Sequence, residues 1–557
     1  MFFIILVSEY TSPCRFRGSY APPDHHFEVP ADRHNEIAQV CIFLGVVCSV
    51  IMGVSRRGGD LIMGLIAIIV HLVFRNSPSN ETRHADTLAQ IPSTITAALS
   101  KFNLDGQTTI YAVCPACHCT YKPDFNRNSS TPIYPERCSN KPQPESGECH
   151  EPLLESPVDS SPIRKPIKPF VYHHFHDYLA GLLSRPDLEQ LMDKACDDLL
   201  ESLGEPIPTF VKDVFEAEYL RGFEGPKPGT LFVDRQGGGR YAFSLNVDFF
   251  AVEGMRVRGS AASAGIISLA CLNLPPDIRF KPENMYVSII PPPEEPHLTE
   301  VNHYLRPLMD DMVASWEKGI RFSRTALHPE GRTAHSAIIA SVMDLPAARK
   351  SAGLAAASSH FYCSVCQCFH QSTLSRTDCE NWNRRDPASL RKHAEEWRDA
   401  STSAEREKIF TKYGTRWSEL WRLPYWDPSR QLVVDAMHCI LEGLAHIHFR
   451  EFLGLTTVSA STPLPLVKAF THHFQPAVQE QSDMTPKEIK QVAEIHQLLT
   501  AAVDDEDNWE DLKTKLHRKN QKPIIFVCND LQIQPSKFPR RCYKSDWVEC
   551  LVTWVSW

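Results

Sequence analysis

Apolar residues first gather in two runs, Ala38 to Val54 and Leu61 to Phe74, separated by Ser55-Arg56-Arg57-Gly58-Gly59-Asp60. Each run falls short of the roughly 18 apolar residues a membrane span needs, and one longer span would carry charge and glycine at its centre. The pair therefore reads as a buried helical hairpin, with membrane association through residues 38–74 as the competing reading. A short helix is expected over Thr87 to Asn103 and a strand over Thr108 to Val113. Residues 119–170, rich in Pro, Ser and Asn, carry no hydrophobic period and read as loops and a linker. From His176 to Leu203 the leucine spacing suits helices broken at Pro186.

The period changes from helical to strand-like after Gly237-Gly238-Gly239, at Tyr241 to Phe250. Ala264 to Leu272 and Met285 to Ile290 are further strands by composition. An amphipathic helix over Val301 to Gly319 follows, with Leu305, Leu308, Met309, Met312 and Trp316 on one stripe. His335 to Met343 then reads as a buried strand ending at Asp344. About 85 residues later the pattern resumes at Gln431 to Asp435 and in a helix from Ala436 with a stripe of Met437, Ile440, Leu441, Leu444 and Ile447. A helix is also expected from Pro486 to Val503. Three strands, a helix and another strand form the order of an RNase H-like core: an α/β fold, a mixed sheet flanked by helices, interrupted by a late insertion. The expected layout is a helical region 1–105, a zinc-ribbon-like segment and linker 106–165, a helical lead-in 166–235, a core 236–455 with an insertion at about 346–430, and a helical tail 456–557.

Composition changes this picture in two ways. A formal charge of -9 argues against a uniformly basic surface while leaving room for a local basic groove. The 18 cysteines include tight pairs, Cys114-Pro-Ala-Cys117 and Cys363-Ser-Val-Cys366, a spacing that suits zinc in a reducing compartment better than disulfides. Cys138 and Cys149 supply a second pair for a structural Zn²⁺ with Cys114 and Cys117, with His118 and Cys119 as spares. Cys363 and Cys366 need help from Cys368, His370, His438 or His446, and a clip through His438 would tie the insertion to the last helix.

Acidic residues sit where strands end. Phosphodiester cleavage by two divalent ions needs carboxylates from distant segments to converge. Asp248 lies in the first core strand, Asp344 just past the fourth, and Asp435 at the end of the last, with Glu442 one helical turn beyond His438 as the other choice for third acid. A solvated strand-end aspartate is the ordinary reading of any one of them; their order carries the hypothesis. Asp310 and Asp311 read as the solvent side of their helix, and Arg540-Arg541 as solvated surface.

Several short motifs occur in a specific order: Tyr111-Ala-Val-Cys-Pro-Ala-Cys, Tyr134-Pro-Glu-Arg-Cys, Leu245-Asn-Val-Asp-Phe-Phe, Asn273-Leu-Pro-Pro, His303-Tyr-Leu-Arg-Pro-Leu-Met-Asp-Asp, Asp344-Leu-Pro-Ala-Ala-Arg-Lys, Cys363-Ser-Val-Cys and Asp435-Ala-Met-His. From Cys114 to Leu455 the chain resembles the transposases of CACTA (En/Spm-like) elements, especially the divergent basidiomycete type. The resemblance implies a DDE/D transposase that uses Mg²⁺ or Mn²⁺ to nick DNA at transposon ends and join the freed 3′-hydroxyl to target double-stranded DNA, in the nucleus and as a homo-oligomer. Asp248 and Asp344 match the first two acidic positions, and Asp435 with Glu442 falls where the last is expected. Cys363, Cys366 and His438 resemble a zinc-bearing insertion. Two departures stand out: the apolar N-terminal runs replace any evident DNA-binding domain, and the short tail implies an incomplete element copy, so a zinc-bearing DNA- or protein-binding relic without chemistry is the alternative.

Overall fold

The computed structural model describes residues 20–21, 26–27, 33–76, 81–102, 106–125, 131–156, 164–251, 262–297, 299–369, 378–452, 484–503, 509–531, 533, 535 and 542–555. His370 and the pair Arg540-Arg541 lie outside them. The chain divides into two compact units, Met1–Asp435 and Ala436–Trp557.

The first unit is built on a mixed sheet flanked by helices. Strands β1 (Gly239–Ala251), β2 (Ser263–Cys271) and β3 (Met285–Ile290) form an antiparallel meander. After the Val301–Glu317 helix and the short β4 (Ile320–Phe322), β5 (Arg332–Met343) returns parallel to β1 on the side away from β2. Strand β6 (Leu432–Val434) lies parallel to the far end of β5, and β4 lies antiparallel to its near end. The order across the sheet is β3-β2-β1-β5-β6, with β4 and the two-residue strand Tyr20–Ala21 continuing from the near end of β5.

Alternation sorts the two faces of β1. Tyr241, Phe243, Leu245 and Val247 join Ile338 and Met343 of β5 in one cluster with Leu305, Leu308, Met309 and Met312 of the Val301–Glu317 helix. Ala242 points the other way, to a second cluster with Ala337, Ile339, Ala340, Phe223 and Trp316. Strand β5 is apolar on both faces because both faces are covered, which is why it reads as a continuous run rather than an alternation. Arg332 at its start is buried between Glu189 and Asp193 of the Pro186–Glu201 helix, at 3.1 and 2.7 Å. One irregularity breaks the β1/β5 ladder: Ile338 pairs with Phe243 but Ala340 pairs with Ser244, so Ile339 is an extra residue on β5.

In front of the sheet a small three-stranded ribbon joins Thr108–Val113 to Thr120–Tyr121 and to Pro169–His173. The loop reading of residues 119–170 is corrected at the two-residue strands Thr120–Tyr121, Asp124–Phe125 and Pro132–Ile133 and at its end, where Pro169–His173 begins. The alternately buried Phe170 and Tyr172 of that last strand were the available signal, shortened below notice by Pro166 and Pro169.

The N-terminal helices also depart from expectation. Arg56 to Asp60 join the second helix, which runs Arg56–Arg75 and is long and apolar enough, by length and composition, to cross a membrane. Its inner side packs through Gly59 and Met63 on Ile95 and Ala98, and Asp60 accepts the Ile95 amide hydrogen at 2.9 Å. Leu61, Leu65, Ile68, Ile69, Leu72 and Val73 are exposed, so the hairpin is buried on one side only.

In the second unit, helices Pro486–Val503, Trp509–His517, Gln521–Asp530 and Lys544–Val555 share a core that includes Ile495, Leu499, Leu516, Val527 and Leu551. The segment Met437–Ala445 is a π-helix rather than the expected α-helix. Its wider turn breaks the i, i+3, i+4 alignment, and Met437, Ile440, Leu441, Leu444 and the following Ile447 are exposed.

Candidate metal centres

One set of side chains in the first unit, a cysteine quartet, gathers closely enough to hold a metal; a second, acidic set is related by strand register. The first is assembled by the ribbon. Thr108–Val113 ends in Cys114-Pro-Ala-Cys117, a knuckle in which the Cys117 amide points at the Cys114 sulfur (3.5 Å) and the His118 amide bonds the Cys114 carbonyl (3.0 Å). A matching turn brings Cys138 and Cys149 together, closed by the bond from the Cys149 amide to the Asn140 carbonyl at 2.8 Å. The residue after each second cysteine, His118 and His150, has left-handed backbone (φ 57° and 56°), which a non-glycine residue holds only where the surroundings demand it.

The four sulfurs lie within 4.8 Å of one another. Cys114 and Cys149 Sγ are 3.7 Å apart, Cys117 and Cys138 Sγ 3.5 Å. Four thiolates at ~2.3 Å from a tetrahedral zinc would stand about 3.8 Å apart, so the quartet fits a structural Zn²⁺ with little movement. Outer donors are in place: Asn140 Nδ2 reaches Cys117 Sγ at 3.3 Å, and the Tyr121 hydroxyl meets Cys138 Sγ at 3.2 Å. Hydrogen bonding from Cys114 holds Cys117 down at about 5, and the same bond with burial drives Cys114 well above the ordinary thiol range. Burial pushes Cys138 up to about 11. A bound cation would favour the thiolate form of its ligands. His118 is not a ligand in this arrangement. Its ring pairs with the Tyr304 hydroxyl at 2.9 Å, and burial lowers it to about 4, so it is a neutral pin between the ribbon and the Val301–Glu317 helix.

The second set is acidic and is placed by the sheet. In the parallel ladder Ser341 pairs with Leu245. Three residues further along each strand stand Asp344 and Asp248. On the other side of β5, Ser341 pairs with Leu432, Val342 with Val433 and Met343 with Val434, so the next position beside Asp344 is Asp435. Extending the ladders three positions past Ser341–Leu245 and one past Met343–Val434 sets the backbone positions of the three acids at one level of three adjacent parallel strands. They also share a face, because Leu245, Met343 and Leu432 turn toward the first core cluster and the aspartates alternate to the opposite side. Asn246 Nδ2 bonds the Val342 carbonyl at 2.8 Å, holding β1 to β5 two positions before the acids. Asp344 caps the Leu345–Ser351 helix, accepting the Ala347 amide hydrogen at 2.7 Å, and Asp248 accepts from its neighbour Phe249 at 2.8 Å. Among the described residues neither Asp248 nor Asp344 forms an ion pair. Carboxylates are donors for hard, oxygen-loving divalent cations, but among the described residues these three do not gather within 4.8 Å as the four sulfurs do.

The remaining candidates divide differently. Cys363 and Cys366 form a knuckle, with the Cys366 amide 3.2 Å from Cys363 Sγ, in the first unit. His438, His446 and Glu442 belong to the second unit. The solvent reading holds for Asp310, which is exposed, and is corrected for Asp311, which is half-buried. Asp311 accepts from the Tyr172 hydroxyl (2.6 Å) and the Phe175 amide (3.2 Å), and Asp310 pairs with Arg422 at 2.7 Å.

An α/β core with a buried cysteine quartet in front of it defines a class of candidate metalloprotein. Comparison sharpens this: residues 248–382 match the family model described as Transposase family tnp2. The matched stretch opens at Asp248 and contains Asp344, Cys363 and Cys366, and it supports a transposase family and, with it, DNA as a partner. No match was found among curated proteins.

Proposed function

We propose that the chain is a transposase-like protein of CACTA type that cleaves and transfers DNA strands at transposon ends in the nucleus, on an RNase H-like core. The observation that carries this reading is the common level and face of Asp248, Asp344 and Asp435. The strand order β3-β2-β1-β5-β6 and the family match support it. Between the two choices for third acid, the ladder favours Asp435 over Glu442.

Asp248, Asp344 and Asp435 would hold Mg²⁺ or Mn²⁺. The cations, when bound, supply Lewis-acid stabilisation of the attacking and leaving oxygens of a phosphodiester. The chain's own contribution is placement: strand pairing fixes the spacing of the carboxylates, Asn246 braces the two central strands, and the Leu345–Ser351 helix restrains Asp344. The quartet Cys114, Cys117, Cys138 and Cys149 would hold Zn²⁺ for structure alone.

The test is nicking of supercoiled plasmid with Mg²⁺ or Mn²⁺. Wild-type protein should nick. Asp248→Ala and Asp435→Ala should each lower the rate at least ~100-fold, and Glu442→Ala should leave it near wild type. A folded, zinc-loaded wild type that does not nick would reduce the chain to a zinc-bearing relic without chemistry.

A further inference from the structure

A cleft of about 410 Å³ opens on the same face of the sheet as the acidic row. Its floor is aromatic: Tyr219, Phe223 and Tyr425, all packed on the cluster formed by Ala337, Ile339 and Ala340. The floor is rigid, since the Tyr425 hydroxyl accepts the Ile338 amide hydrogen at 2.9 Å and the ring lies 5.5 Å from Phe223 at 85° and 4.2 Å from Trp316. Arg384 and Arg430 stand exposed at the rim. Among the described residues Arg384 has no carboxylate partner. Two acids share the lining: Asp427, whose Oδ1 is occupied by the Ser429 amide and hydroxyl (2.9 and 2.7 Å) and whose Oδ2 lies 3.7 Å from the Nε of the exposed Arg430, and the exposed Glu224.

A preorganised aromatic floor beneath arginine side chains is the chemistry that holds an unpaired nucleotide, the base stacking on a ring and the phosphate meeting a guanidinium. The location fits. Tyr425 is fastened to Ile338, six positions before Asp344 on β5, which places the floor about 20 Å along the strand from the acidic level. Arg430 lies on the Pro428–Gln431 helix that leads directly into β6 and Asp435.

We infer that this cleft binds single-stranded DNA, taking an unpaired base against Tyr219 with flanking phosphates on Arg384 and Arg430, and so receives the strand freed near the acidic row. The inference rests on the proposed function for its choice of DNA, and it can fail separately.

The test is fluorescence anisotropy with the full zinc-loaded chain, a labelled oligothymidylate and a labelled duplex, without added Mg²⁺ or Mn²⁺. Arg384→Glu combined with Arg430→Glu should weaken single-strand binding by about tenfold or more and change duplex binding far less. Tyr219→Leu should weaken single-strand binding severalfold, and Tyr219→Phe, which keeps the stacking surface, should restore it. Absence of single-strand binding by wild type, equal losses on both substrates, or a Tyr219→Leu variant that binds like wild type would each overturn the inference. If the plasmid assay fails while these differences appear, the cleavage reading falls and the nucleotide pocket stands; if nicking depends on Asp248 while these variants bind normally, only the pocket falls.

Discussion

The cysteine quartet and the acidic row are both candidate metal sites, but they are held in opposite ways. The quartet is local: its ligands come from one stretch, Cys114 to Cys149, and the loops that carry them are closed by their own backbone bonds. The acidic row is remote: Asp248, Asp344 and Asp435 come from three strands and are aligned by ladder register. A local site depends on its metal for its shape, whereas a remote site inherits its shape from the fold. Substitutions at the two should therefore differ in kind.

The largest effect is expected at the quartet. Cys138→Ser should remove one equivalent of zinc and open the segment 106–173 to proteolysis, because the binding energy of a structural zinc is folding energy, on the order of 10 kcal/mol. If the variant keeps its full zinc content and protease resistance, the quartet is a cluster of buried thiols and the comparison collapses.

A smaller effect separates the two duties of Asp344. Asp344→Asn keeps an acceptor for the Ala347 amide and should melt close to wild type, yet lose nicking. Asp344→Ala should lose nicking equally and also about 1 kcal/mol of stability through the missing cap. Nicking retained in the Asn variant would show that Asp344 serves the helix alone.

The smallest effect is at Asn246. Asn246→Ala removes one side-chain bond to the Val342 carbonyl, worth roughly 1 kcal/mol, and should raise the Mg²⁺ concentration needed for half-maximal nicking with little change in zinc content. An unchanged Mg²⁺ requirement would confine Asn246 to holding the strands together.

The sequence carried different amounts of information about the two sites. The ribbon's first ligand pair was plain from Cys114-Pro-Ala-Cys117, and the looser Cys138 and Cys149 could be joined to it because cysteines so spaced need partners. What could not be read was the closure, since the Tyr121 and Asn140 contacts and the left-handed backbone at His118 and His150 exist only once the loops are folded. Asp248 was legible within a strand, and Asp344 and Asp435 at strand ends. Their common level was not, because pairing is a relation between segments that no single segment encodes. The same blindness hid the strand Pro169–His173, whose partner lies some 60 residues earlier, and the burial of Asp311, which depends on Tyr172.

The extra residue on β5 has a consequence for how such a chain tolerates change. Up to Ile338 each β5 residue pairs with the β1 residue numbered 95 lower, and from Ala340 onward with the one numbered 96 lower. With the earlier offset Asp344 would meet Phe249, and its side chain would emerge on the far side of the sheet from Asp248. Ile339 therefore acts as a phase corrector. Deleting that single apolar residue, which has no acidic or metal-binding character of its own, would leave every carboxylate in the chain and still put Asp344 on the wrong side of the sheet.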